Sequence, residues 1–242
     1  MGNNDYIYGK NSCRATLSNN SEVKSVLIST SFSDKEILSL ISKRKLNVKR
    51  VAPSQLDSMF RGAAHQGIAL QIAPYKYMEL DRLLKKCENK KNATIVLLDG
   101  LEDPQNFGAI LRSCDAFGVD GVIIPSTRSV TVTPTVVKVS TGAIEYMPIC
   151  MVTNLNQTIE ILKKNGFWIV ASDGEAKDDY DKIDYDMKVG LIVGSEGKGI
   201  SSLVLKNADF VTKIPMVGHV NSLNASVATG IYLAMIQSKR NK

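Results

Sequence analysis

Apolar residues recur in two different rhythms along this chain, and the change comes near residue 92. In the first part short elements alternate. VKSVLIS (23–29) reads as a strand. SDKEILSLISKRK (33–45) puts Ile37, Leu38, Leu40 and Ile41 on one helical face, with Ser33 and Glu36 spaced as a capping box. NVKRVA (47–52) and GIALQIA (67–73) read as strands, with a short helix, PSQLDSMFRG, between them. This predicts a small α/β module over residues 1–73. The segment 74–92 opens on Pro74, has a helix-compatible middle (MELDRLLKKC) and ends in a Lys/Asn run, so it reads as a linker.

From residue 93 the apolar runs become continuous. TIVLLDG (94–100) has the pattern of a strand buried on both faces. NFGAILRSCDAFG (106–118) sets Phe107, Ile110, Leu111 and Cys114 on one helical face. The strands GVIIP, FWIVAS and VGLIVG follow, with the helix NLNQTIEILKKNG (154–166) ending at Gly166. FVTKIPM (210–216) leads into a last helical stretch, ASVATGIYLAMIQ. Strand and helix alternate as in a Rossmann-like parallel sheet covered on both sides. The acidic stretch DGEAKDDYDKIDYDMK (173–188) reads as a solvated loop or hairpin without metal-ligand spacing.

Charge sharpens the division. Residues 1–92 carry 16 Lys+Arg against 8 Asp+Glu, a net +8, and residues 93–242 carry 14 against 16, a net −2. A basic module beside a near-neutral one suggests that the first grips a polyanion. The candidate phosphate contacts are Lys10, Arg14, Lys43, Arg44, Arg50 and Arg61. Cys13, Cys87, Cys114 and Cys150 are scattered with no C-x-x-C pair, which fits plain thiols in a reducing cytoplasm. With only His65 and His219 for imidazole ligands, no metal is expected. No run is long and apolar enough to span a membrane, so none is expected as a partner.

Three segments fall at strand C-termini, where open α/β sheets place ligands. They are DGLEDPQNFGAI, VGSEGKGIS and VGHVNSLNASVATG. The first lacks the G-x-G-x-x-G of a dinucleotide site, and the second lacks the hydroxyl and glycine spacing of a P-loop. The third carries amides and hydroxyls but no acid or cysteine. Such turns suit an uncharged group, such as an adenine ring, better than a phosphate.

DPQNFGAILRSCDAFG, LIVGSEGKGIS and IPMVGHVNSLNASVATGI, in this order and spacing, resemble the three motifs of the SpoU (TrmH-type) RNA ribose 2′-O-methyltransferases. YIYGKNSCRATL and GAAHQGIALQI resemble the ribosomal-protein-like RNA-binding domain that precedes catalysis in members modifying a guanosine of 23S rRNA. One departure is Ala225, where the family usually has valine. The resemblance implies an α/β fold of the SPOUT class. It comprises a Rossmann-like catalytic domain over 93–242 with its C-terminal segment tied in a trefoil knot, and a small α/β RNA-binding domain over 1–73. It further implies S-adenosylmethionine as cofactor, RNA as substrate and a homodimer whose arginine reaches the partner's site.

By the same resemblance, Arg112 assists the reacting hydroxyl, Asn106 orients Arg112 or the ribose, and Glu196, Ser222 and Asn224 organise substrate and cofactor. Gly194, Ile214, Met216, Gly218 and Leu223 form the expected cofactor seat, with Gly194, Gly218 and Ala225 small enough for close passage. His219 falls at a variable motif position, and a structural role is expected for His65. The alternatives are the same chemistry on tRNA or another rRNA nucleotide, and an RNA-binding ribosome assembly factor without catalysis.

Overall fold

The computed structural model describes residues 6–18, 22–61, 64–73, 75–220 and 222–240. It divides into two compact units, Met1–Lys76 and Tyr77–Lys242.

Unit 1 is built on strands β1 (Tyr6–Tyr8), β2 (Val23–Ser29), β3 (Val48–Val51) and β4 (Ile68–Ile72), in the spatial order β1-β4-β2-β3. β4 runs antiparallel to both β1 and β2, and β2 is parallel to β3. Alternation along β2 and β4 sends Val26, Ile28, Ile68 and Leu70 to one face, where they pack with Ile37 and Ile41 of α2 (Lys35–Lys43) and with Cys13 and Leu17 of α1 (Lys10–Ser18). Leu27, Val51 and Ala69 meet Leu56 and Phe60 on the opposite face, where α3 (Pro53–Met59) lies. The cap of α2 is Asp34, whose carboxylate accepts from the Ile37 amide at 3.2 Å, and not Ser33. A carboxylate beside the helix's positive end outcompetes the hydroxyl one residue earlier.

Unit 2 holds a seven-stranded, wholly parallel sheet. Its strands are β5 (Thr94–Asp99), β6 (Gly121–Pro125), β7 (Ile149–Val152), β8 (Phe167–Ser172), β9 (Asp178–Asp179), β10 (Lys188–Gly194) and β11 (Phe210–Lys213), in the order β7-β6-β5-β10-β8-β11-β9. One face is covered by α4 (Leu80–Cys87), α7 (Leu155–Lys164) and α8 (Ser202–Lys206), which pack on Ile95, Leu97, Ile123, Ile169 and Ile192. α4 arises within the 74–92 stretch and buries Leu83, Leu84 and Cys87 in this core. α5 (Pro104–Ala116), α6 (Pro134–Val139) and α9 (Ala225–Arg240) pack against one another, and Phe107, Ile110, Leu111 and Cys114 of α5 are fully buried. The alternate strand residues Val96, Leu98 and Leu191 are fully buried too, so the central strands carry apolar side chains on both sides. α7 stops where Gly166 takes φ +81°, a left-handed conformation that glycine adopts without steric cost. The acidic segment 173–188 forms no hairpin, because β9 pairs in parallel with β11.

The chain's single tryptophan, Trp168, is half exposed on β8, with its ring 5.8 Å from that of Phe210. All four cysteines are buried and free, and burial pushes the Cys13 and Cys150 thiols up to about 12.

At the far end of α9 the Arg240 guanidinium donates to Thr94 Oγ1 (2.7 Å) and to the carbonyls of Met187 (2.8 Å), Ala93 (3.0 Å) and Tyr185 (3.0 Å). It thereby fastens the helix to the start of β5 and to the approach to β10. Arg240→Met is expected to destabilise unit 2 by about 3 kcal/mol, since hydrogen bonds from a charged donor are lost and acceptors go unpaired. Denaturant unfolding measures this, and an unchanged midpoint would refute the latch.

Candidate functional site

β8, β10 and β11 end side by side at Ser172, Gly194 and Lys213, and a cavity of about 720 Å³ opens at these C-terminal ends. That is where parallel sheets receive ligands, and the volume suits a small-molecule cofactor. Its wall on the β10 side is a tight turn. Ser195 and Gly199 exchange backbone hydrogen bonds of 3.2 and 2.9 Å, and the turn folds back onto its own strand. A Cβ on Gly194 would stand 2.2 Å from the Gly199 carbonyl carbon and 2.5 Å from the Ile200 nitrogen. Only glycine allows this approach.

The three motif segments meet through one carboxylate oxygen. Glu196 Oε1 accepts from Asn106 Nδ2 (3.1 Å), Asn224 Nδ2 (2.6 Å) and the Ala225 amide (3.4 Å). Asn224 Nδ2 also donates to Asn106 Oδ1 at 2.8 Å, closing a triangle. Asp103 caps α5, accepting from the Gln105 and Asn106 amides. The Asn106 side chain is therefore spared for Glu196, and it is buried there. Asn224 Oδ1 accepts from the Ser226 amide (2.9 Å) and the Val227 amide (3.3 Å), so one side chain both starts α9 and faces the carboxylate.

Of the expected site residues, Gly194, Glu196, Ile214, Met216, Ser222, Leu223 and Asn224 line the cavity, and Asn106 joins it through Glu196. Arg112 does not. It is exposed and lies six residues beyond Asn106, which turns it roughly 120° away around the helix. The Asn106 side chain therefore binds Glu196 and Asn224, not Arg112. Gly218 departs from the close-passage reading, since a Cβ there would meet open space and the residue lies in an exposed turn off the cavity wall.

Sequence reasoning missed Asp173, Glu175 and Lys213, which also line the cavity. Asp173 and Glu175 belong to the segment read as a solvated loop or hairpin. Their position just after β8 was the available signal. With Glu196 they give the wall three carboxylates against the one lysine, a net negative lining suited to a cation such as a sulfonium. No group of His, Cys, Asp or Glu among the described residues is placed to hold a metal ion, and no described helix is long and apolar enough to cross a membrane.

In unit 1, several basic candidates are already engaged. Arg14 pairs with Glu36 (2.9 Å) and Asp34 (3.6 Å), and Arg44 donates to the carbonyls of Thr16 and Leu17, securing the end of α1. Lys43, Arg50 and Arg61 are exposed. His65 is structural: Nε2 contacts Asp57 Oδ1 at 2.8 Å and Nδ1 accepts from the Gly67 amide, pinning the turn before β4.

Residues 93–234 match the sequence model of the SpoU rRNA methylase family, and residues 6–78 match that of RNA 2′-O ribose methyltransferase substrate binding. A Staphylococcus aureus protein described as a TrmH family tRNA/rRNA methyltransferase is 46% identical over 239 residues, covering 97% of this chain and 96% of that protein. The SpoU methyltransferase AviRb of Streptomyces viridochromogenes, solved in complex with AdoMet, superposes with a TM-score of 0.67. It covers 98% of this chain and 90% of its own, and at 21% identity the likeness speaks to the fold. The A. aeolicus TrmH/SpoU tRNA modifying enzyme is 33% identical with a TM-score of 0.58, covering 67% of this chain and 82% of that one.

Proposed function

The chain belongs to the SpoU rRNA methylase family as an S-adenosylmethionine-dependent RNA ribose 2′-O-methyltransferase, and from that premise we propose that it methylates a guanosine of 23S rRNA. The observation that carries the active-site assignment is the Asn106–Glu196–Asn224 triangle, which draws all three motifs together at the rim of the cofactor-sized cavity. The separate substrate-binding unit and the +8 excess over residues 1–92 support a large structured RNA as target.

S-adenosylmethionine, when bound, supplies an electrophilic methyl on a sulfonium. The cavity fits it: Gly194 and the turn to Gly199 admit close backbone contact, Ile214, Met216 and Leu223 offer apolar surface, and the carboxylates complement its positive charge. Residues 214–220 and 222–223 belong, on this reading, to the threaded loop of the trefoil knot. The residues at the cavity mouth would have to hold the ribose hydroxyl within reach of that methyl. Ser222 positions the ribose, and Asn224, held by the Glu196 carboxylate against Asn106, shapes the wall beside it. Arg112 stabilises the oxyanion as the hydroxyl proton leaves for solvent, since arginine does not itself take up a proton. Facing away from its own cavity, Arg112 serves the partner's site in a homodimer.

Mapping of 2′-O-methyl groups across rRNA and tRNA, in cells with and without the gene, tests the target. One 23S guanosine is expected to lose its methyl group, and purified protein is expected to modify unmodified 23S transcript. Transfer to tRNA alone would replace this target by the second reading; the description of the S. aureus relative names both tRNA and rRNA. Cofactor binding without transfer to any RNA would favour an assembly factor.

A further inference from the structure

Unit 1 contains a cavity of its own, about 530 Å³, between its sheet and α3. Strand register builds one wall. Tyr6, Gln71 and Ser25 stand opposite one another across β1, β4 and β2, and Leu27 stands opposite Lys49 on the next row. Leu56 and Phe60 anchor α3 to this face, which leaves Gln55, Ser58 and Met59 to form the other wall.

The polar groups are biased toward donation. Gln71 Oε1 accepts from Ser25 Oγ at 2.9 Å, and Gln55 Oε1 accepts from the Ala52 amide at 3.1 Å. Each carbonyl already accepts one bond, the two side-chain amino groups and the Lys49 ammonium supply donors, and the Ser54 and Ser58 hydroxyls can donate or accept. No carboxylate lines the cavity. The apolar surface includes Tyr6, whose ring is braced edge-on by Phe60 at 5.6 Å, and the exposed Met59. A planar ring with acceptors on its edge satisfies both halves of the cavity, and an aliphatic chain satisfies only the apolar one.

We infer that this cavity holds an unpaired nucleobase of the substrate RNA, a guanine or uracil whose carbonyl edge meets Gln55, Gln71 and Lys49 while its face lies on Tyr6. The inference rests on the RNA methyltransferase reading and deepens it, giving unit 1 a base-directed grip beyond phosphate attraction. Guanine offers O6 and N7 and uracil offers O4 to such donors, whereas the amino group of adenine would face donors. Stacking on an aromatic ring is the usual means of holding a splayed-out base.

The test uses the full chain and 23S transcript carrying 6-thioguanosine or 4-thiouridine. On irradiation, cross-links are expected in the peptides containing Tyr6 and Met59. Lys49→Met, and Gln55→Glu, which keeps the acceptor for the Ala52 amide, are each expected to raise KM for RNA about tenfold, the loss expected for a base-directed contact. Maximal rate and S-adenosylmethionine affinity should hold. Lys35→Met, the same loss of charge at an exposed residue of α2, on the sheet face opposite the cavity, should leave KM near the wild-type value. Equal effects of Lys49→Met and Lys35→Met would reduce the cavity to general electrostatics and overturn the inference. Methyl transfer without cross-links at these peptides would overturn it as well. Cross-links there without any methyl transfer would leave the base site standing and remove the methyltransferase reading instead.

Discussion

Arg112→Ala is expected to lower methyl transfer by about a thousandfold while leaving S-adenosylmethionine affinity unchanged, the range seen when a preorganised oxyanion donor is removed. The guanidinium is exposed on α5 and absent from the cavity wall, so its loss does not disturb the groups that would hold the cofactor. Single-turnover transfer and equilibrium cofactor binding separate the two effects, and parallel loss of both would refute this role. The outward aspect of Arg112 makes a second, sharper expectation. If Arg112 completes the partner's site, mixing Arg112→Ala with Glu196→Ala chains restores activity, because each mixed dimer contains one intact cavity faced by one intact arginine. Random exchange in a symmetric dimer predicts recovery to about a quarter of the wild-type rate. No recovery, with subunit exchange confirmed, would place the arginine in its own chain's site.

Glu196→Ala is expected to reduce transfer about a hundredfold, because a charged acceptor shared by three donors is worth several ordinary hydrogen bonds. Asn106 Nδ2, Asn224 Nδ2 and the Ala225 amide would all lose their partner, and Asn106, being buried, has little access to water as a substitute. Glu196→Gln retains one oxygen acceptor at nearly the same shape, so its loss should be milder, about tenfold. The ratio of the two variants is the informative quantity. Equal, severe losses would mean that Glu196 acts by its charge on the substrate and not by holding the two asparagines.

The parts of the fold legible in the sequence are those where burial dictates composition. TIVLLD and VGLIVG became adjacent central strands because only apolar residues can fill both faces of a covered sheet. Phe107, Ile110, Leu111 and Cys114 recur at helical spacing because α5 packs one side inward. β1 was not legible from its rhythm, since YIY is three residues in a polar stretch and pairs with β4, more than 60 residues away. The site divides along the same line. Motif spacing placed Asn106, Glu196 and Asn224, but it carries no information on direction, so the separation of Arg112 from the cavity required the turn of α5 to be seen in space. Asp173 and Glu175 look like any acidic loop until β8 sets them beside β10.

Trp168 makes the two halves of the molecule separately observable. Unit 1 contains no indole, and its described strands and helices add to circular dichroism but not to tryptophan emission. Emission during denaturation therefore follows the methyl-transferring half alone, while ellipticity follows both. Any gap between the two curves gives the independent stability of the half that grips RNA. An RNA ligand that moves only the ellipticity midpoint would be identified as binding there without a label on either molecule.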